Sequence, residues 1–113
     1  MLKKQFRITD SRDFERIYKK GKFQNGKYLK VNVLENRRDF ARAAVVISKK
    51  AEKSAVKRNE VKRKVREAVR IAYPELENGK DLVINIKKEA VGKKFEDLKK
   101  DLLEILDKLG IKK

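Results

Sequence analysis

Apolar residues recur along the chain in two rhythms. In residues 28–34, Leu29, Val31 and Val33 alternate with Tyr28, Lys30 and Asn32, the period of two expected for a strand with one buried face. Residues 81–87 do the same, setting Leu82, Ile84 and Ile86 against Val83 and Asn85. Residues 42–48 carry the unbroken run Ala-Ala-Val-Val-Ile, which predicts a more deeply buried strand. The second rhythm is helical. Phe95, Leu98, Leu102, Ile105, Leu106 and Leu109 share one face over 93–109, and Gly110 follows as a stop. Phe14, Ile17 and Tyr18, with Ile8 just before them, give an apolar face to a helix that Thr9, Asp10 or Ser11 caps and Gly21 closes. The longest predicted helix runs over 54–73, where Pro74 forbids continuation.

The predicted order is α-β-β-α-β-α. A helix between 42–48 and 81–87 allows those two strands to run parallel. Helices packed on one side of a mixed sheet then give an α+β sandwich, one domain over residues 1–113. One Pro, five Gly and no internal repeat leave little room for linkers.

Charge narrows the function. Lys and Arg number 33 against 17 Asp and Glu, a net +16. On a periodic, foldable chain this points to a polyanionic partner, with nucleic acid as the first candidate. The absence of Cys and His excludes a disulfide scaffold, a zinc finger, a cysteine nucleophile and a histidine-based triad. No apolar stretch approaches the roughly 18 residues of a spanning helix. The first residues, Met1 to Gln5, lack the apolar core of a signal peptide. A soluble, cytoplasmic protein without a membrane partner is expected.

The predicted 54–73 helix is the most informative segment. At about 100° per residue, Val61, Val65, Ala68, Val69 and Ala72 share one arc, the buried seam. A neighbouring arc holds Asn59, Lys62, Arg63, Arg66 and Arg70, with Arg58 at its near edge. Glu60 and Glu67 fall beyond it, so the wheel segregates acids from the positive stripe. A face built only for solubility mixes Glu and Lys along the same side. Arg also presents a planar fork that matches phosphate oxygens, and Asn59 can bond a base edge, a 2′-hydroxyl or a phosphate. A generic basic run is more often simply a solvated face; here the segregation and the total charge favour nucleic acid.

Aromatics are few, three Tyr and five Phe. Phe14 and Tyr18 share a helix face and are able to stack unpaired bases. Taken alone, Phe14 reads as core, and Tyr18 is balanced between core and surface because its hydroxyl prefers a wet or paired end.

At this point the chain resembles a known family, the protein subunit of bacterial ribonuclease P. The central match is Ala55-Val56-Lys57-Arg58-Asn59-Glu60-Val61-Lys62-Arg63-Lys64-Val65-Arg66-Glu67, similar to the family signature A-V-x-R-N-R-x-K-R-x-x-R-E, with Ser48-Lys49-Lys50 before it. A second match is Arg7-Ile8, Asp13-Phe14, Ile17-Tyr18 and Gly21. Three departures stand out. Glu60 replaces the second Arg of R-N-R, Ala51-Glu52-Lys53 occupies a loop where many relatives have Gly, and Val31 stands for an aromatic on the first strand.

The resemblance implies an α-β sandwich with an unusual left-handed βαβ crossover, against the general right-handed rule. It implies that RNA is the catalyst, that Mg²⁺ is held mainly by that RNA, and that the protein alone is inactive. The protein would be a cofactor of this endonuclease, binding the catalytic RNA and the 5′ leader of precursor tRNA, with no obligate protein partner. Carried over, Arg58, Asn59, Lys62, Arg63 and Arg66 contact the catalytic RNA, with Arg70 further along the same basic helix and Lys49 and Lys50 flanking it. Phe14, Tyr18, Arg42, Ala44 and Val46 line a leader cleft, which overrides the reading of the two aromatics taken alone. No residue is assigned as catalytic or metal-binding. Rival readings are a general RNA-binding or ribosomal-type protein, a protein-only nuclease and an anionic-membrane binder. Scattered acids without a metal-ligand spacing count against the nuclease. The small Val and Ala seam counts against the membrane.

Overall fold

Most of these rhythms appear as predicted in a computed structural model that describes residues 2–113; Met1 lies outside the described residues. Helix α1 spans Ser11–Lys20, and its N-cap Asp10 accepts a hydrogen bond from the Arg12 amide at 2.8 Å. Helix α2 spans Ala55–Ala72, capped by Ser54 Oγ, which accepts from the Lys57 amide. Helix α3 spans Phe95–Leu109 and ends on Gly110, whose φ of 68° is the left-handed conformation that favours glycine.

The strands are β1 (Lys22–Asn25), β2 (Leu29–Glu35), β3 (Arg42–Val46) and β4 (Lys80–Ile86). They form one sheet in the order β1-β2-β4-β3. Pairs β1/β2 and β2/β4 are antiparallel, and β3/β4 is parallel as α2 between them requires. The residues just before α1 add to the far edge, where Arg7 bridges Ala43 and the Ile8 amide donates to the Ala43 carbonyl at 3.1 Å.

Two expectations are corrected. The sheet has four strands, not three: Lys22-Phe23-Gln24-Asn25 pairs with β2 although it carries a single apolar residue. The helices also do not share one side. Leu29, Val31, Val33, Leu82, Ile84 and Ile86 face α2 and α3, while Val83 on the opposite face packs with Ile8 and with Ile17 of α1. The pleat sends Val83 the other way, and α1 is what covers it. The chain turns directly from α1 into β1 at Gly21, where a Cβ would lie 2.5 Å from the carbonyl oxygens of Ile17 and Val33. Only glycine lets α1 end so close to β2.

The α2 seam is the one the wheel predicts, with Val61, Val65, Ala68, Val69 and Ala72 buried. Val31 belongs to this same core, fully buried. A residue that stacks on a strand in the α1-facing cleft must point toward α1, and on β2 those positions are Lys30, Asn32 and Leu34. The assignment of the stacking position to Val31 is therefore off by one pleat.

Two buried carboxylates tie elements together. Asp81 on β4 accepts from Arg42 Nε at 2.9 Å and Nη2 at 2.6 Å, with Asn36 Nδ2 at 2.8 Å. Asp101 on α3 accepts from the backbone amides of Lys27, Tyr28 and Leu29 at 2.8, 2.9 and 3.0 Å, gripping the β1–β2 turn. Asp101→Asn keeps the size and removes the charge and one acceptor oxygen. It is expected to cost about 2 kcal/mol, within the range for hydrogen bonds to a charged group. A urea midpoint that does not move would show that the turn holds itself.

Candidate nucleic-acid interface

Helix α2 presents its cations beside the buried seam, and they differ in what holds them. Asn59 and Arg63 are exposed, and Lys62 and Arg66 are half-buried. None of the four side chains has a protein hydrogen bond or a carboxylate partner among the described residues. Burial, together with the neighbouring Arg66 and Arg58, pushes the Lys62 ammonium below its ordinary range. A lysine already crowded by cations gains from a phosphate, because an anion relieves both repulsions.

Arg58 and Arg70 are held differently. Arg58 Nη1 donates to the carbonyls of Glu52 and Lys53, both at 2.8 Å, and so fastens the loop before α2 to the helix. Arg70 pairs with Glu67 across Nε–Oε2 at 3.1 Å, one turn back. The predicted segregation of acids is thus incomplete: Glu67 reaches into the stripe and holds Arg70, whose guanidinium pulls the Glu67 carboxyl below its usual range. Glu60 behaves as the wheel predicts. It faces the opposite flank of α2, within 3.9 Å of Lys64, where it lines a separate groove with Lys57, Val61 and Gly92.

Lys49 and Lys50 are exposed on the turn before α2, which Ser48 Oγ closes by accepting from the Ala51 amide. Glu52 accepts from the Ser54 amide at 3.0 Å. No residue of 51–53 has a positive φ, so the loop has no need of the glycine that many relatives carry there.

Between α1, the edge of β3 and α2 lies an open groove of about 230 Å³. Phe14, Ala44 and Val46 line it, as the resemblance implies, and so do Arg66 and Val69 from α2. Arg66 therefore belongs to both the basic stripe and the groove wall. Tyr18 stands further along the same sheet face, 46% exposed, its hydroxyl donating to Asn85 Oδ1 at 2.7 Å. Partial burial raises its phenol above the ordinary range.

Arg42 points to the same face but is buried against Asp81, with Asp13 at 3.4 Å, and does not line the groove. The Asp81 hydrogen bonds raise its pKa further above the ordinary range. Its geometry is that of a support beneath α1. Two features went unread in the sequence, Asn85 as the partner of Tyr18 and Val69 as part of the groove wall. An amide in the middle of an apolar strand was the available signal for the first.

The comparisons agree with this architecture. The family model described as Ribonuclease P matches residues 2–110. The "Ribonuclease P protein component" of Clostridium kluyveri is 34% identical over 110 residues, covering 96% of this chain and 97% of that protein. Its counterpart from Syntrophomonas wolfei is 35% identical, covering 98% and 92%. Among solved structures, a Staphylococcus aureus RNase P protein mutant with defective mRNA degradation activity superposes with a TM-score of 0.87 at 28% identity, covering 96% of this chain and 91% of that one. The RNase P protein from Thermotoga maritima gives 0.81 at 30% identity, covering 90% and 96%. A family match over nearly the whole chain, on a sheet and helices of the same arrangement, makes this chain a member of the ribonuclease P protein family.

Proposed function

We propose that the chain is the RNA-binding cofactor of ribonuclease P, assisting a catalytic RNA in removing the 5′ leader of precursor tRNA in the cytoplasm. The observation that carries the reading is the double position of Arg66, shared by the phosphate-seeking stripe and by the groove of Phe14, Ala44 and Val46. One surface then binds a structured RNA while the adjoining groove receives an unpaired strand, whose bases suit aromatic and apolar walls. Lys62, Arg63, Arg66 and Asn59 engage the catalytic RNA; Arg58 supports them by holding the loop that carries Lys49 and Lys50. Arg70 joins if RNA draws it from Glu67. Phe14 and Tyr18 hold the leader.

The described residues do not fit a catalytic magnesium site. No three acids converge on one point, and buried Asp81 and Asp101 are engaged by Arg42 and by backbone amides. Magnesium in this reading is held by the RNA, and the protein contributes charge neutralisation and positioning. Among the described residues no helix is long and apolar enough to cross a membrane.

The test is reconstitution of the protein with a bacterial ribonuclease P RNA and precursor tRNA at low magnesium, omitting each component in turn. Cleavage at the mature 5′ end that requires the RNA and rises with the protein is the expected result. Uniform binding to every RNA without stimulation would instead make the chain a general RNA binder.

Lys62 supplies a pH signature. Its pKa is depressed in the free protein, and a bound phosphate favours the charged form. Binding should therefore take up protons at alkaline pH, and affinity should fall as pH rises through the lowered lysine range. Titration calorimetry in buffers of different ionisation enthalpy reads this, and Lys62→Arg should abolish that contribution.

A further inference from the structure

Two of the exposed large hydrophobic side chains, Tyr18 and Phe23, are aromatic, and both stand on the same face of the sheet. The connection between them is continuous. Tyr18 bonds Asn85 on β4, Asn85 Nδ2 donates to Asn32 Oδ1 on β2 at 3.0 Å, and Asn32 pairs directly with Phe23 on β1. Two strand spacings, about 10 Å, separate β4, where Asn85 anchors the Tyr18 hydroxyl, from β1, which carries Phe23, with an amide floor between them.

Phe23 is 56% exposed on an edge strand, a position that soluble proteins ordinarily blunt with charge or proline. Its ring is not bare, however. Lys30 Nζ lies 4.6 Å from the ring centroid, and no carboxylate pairs with that ammonium among the described residues. An accessible ring with an unneutralised cation beside it combines the two elements that hold an unpaired nucleotide, a stacking face and a phosphate partner. The same patch suits an acidic protein segment poorly, because a ring beside a single ammonium offers no row of cations.

We infer that Phe23 and Lys30 form a second stacking site on β1 for a nucleotide of the single-stranded leader, extending its path across the sheet beyond Tyr18. This deepens the leader reading given above and rests on it. The groove end beside Arg66 lies next to the helix proposed to face the catalytic RNA, so nucleotides near the cleavage point sit there. Phe23, at the opposite edge of the sheet, meets nucleotides further toward the 5′ end. The site thus makes affinity depend on leader length.

The experiment uses the reconstituted holoenzyme and precursor tRNAs whose leaders are lengthened one nucleotide at a time. Wild-type affinity is expected to climb in steps as each contact is reached. Phe23→Ala should remove the late step, about fivefold or more from the lower end of base–aromatic stacking, and leave short-leader substrates unchanged. Phe23→Tyr should keep that step and Phe23→Leu should lose it, which separates stacking from simple apolar contact. If Phe23→Ala climbs as wild type does, the β1 site is wrong while the leader cleft stands. If the wild type itself shows no dependence on leader length, the leader reading falls and takes this inference with it.

Discussion

Exchanging Lys62 and Arg66 together for glutamine is expected to weaken binding of the ribonuclease P RNA by about 100-fold at moderate salt. Each side chain is half-buried on α2 without a protein partner, so in the free protein nothing but water answers its charge. At the low end of about 1.5 kcal/mol for each hydrogen bond to a charged group, the pair contributes about 3 kcal/mol. The salt dependence is the sharper readout. Two phosphate contacts fewer means two sets of counterions fewer released, so the slope of log affinity against log salt should flatten by about 1.4–1.8. The gap between variant and wild type then narrows as salt rises. A variant with the parental slope would show that this stripe does not touch phosphate. Because Arg66 also lines the groove, Arg66→Gln alone should in addition reduce the affinity gained from a leader, whereas Lys62→Gln alone should not.

Asp81→Ala is expected to cost 3–5 kcal/mol of folding stability, the typical cost of leaving one member of a buried ion pair alone. Asp81 has no exposed surface and Arg42 only 8%. Without Asp81 the guanidinium keeps Asp13 alone, at 3.4 Å. Against a total near 5–15 kcal/mol this is a large fraction. Replacing both partners by apolar residues, Arg42→Met with Asp81→Leu, should recover much of the loss, since neither charge is then buried unpaired. Urea denaturation of the single and double variants decides the matter. Equal stability of Asp81→Ala and wild type would mean that Asp13 and solvent satisfy Arg42. Salt separates this prediction from the first, because a buried pair is little screened while the RNA contact is strongly screened.

The contrast between Arg42 and Arg66 shows where sequence reading reaches its limit. On α2 the period of the helix places every seam residue, because five small apolar side chains repeat with one rhythm and enter one core. Arg66 could be assigned to the stripe from the same rhythm. Arg42 lies on a strand whose period places it only on a face; that Asp81 waits across a parallel pair 39 residues away is a tertiary fact. Asp81 itself reads in the sequence as the polar lead into an apolar strand. Strand β1 escaped notice because an edge strand with one apolar residue carries no rhythm. The placement of α1 on the far face turned on Val83, a single residue against three that alternate with it. The wheel also locates Cα positions, not the tips of long side chains. It put Glu67 outside the stripe, and one turn of helix is well within its reach to Arg70.

The carboxylate of Asp101 has a consequence for the timing of local motion. Three successive amides of the β1–β2 turn, of Lys27, Tyr28 and Leu29, donate to one side chain of α3. Their protons cannot be freed through Asp101 one at a time if α3 leaves as a unit. In deuterated solvent they should exchange together, at a rate set by the undocking of α3, while amides paired within β2 and β4 report the opening of the sheet. The turn that follows the Phe23 strand therefore carries an isotopic clock for a helix packed in the core on the opposite face of the sheet.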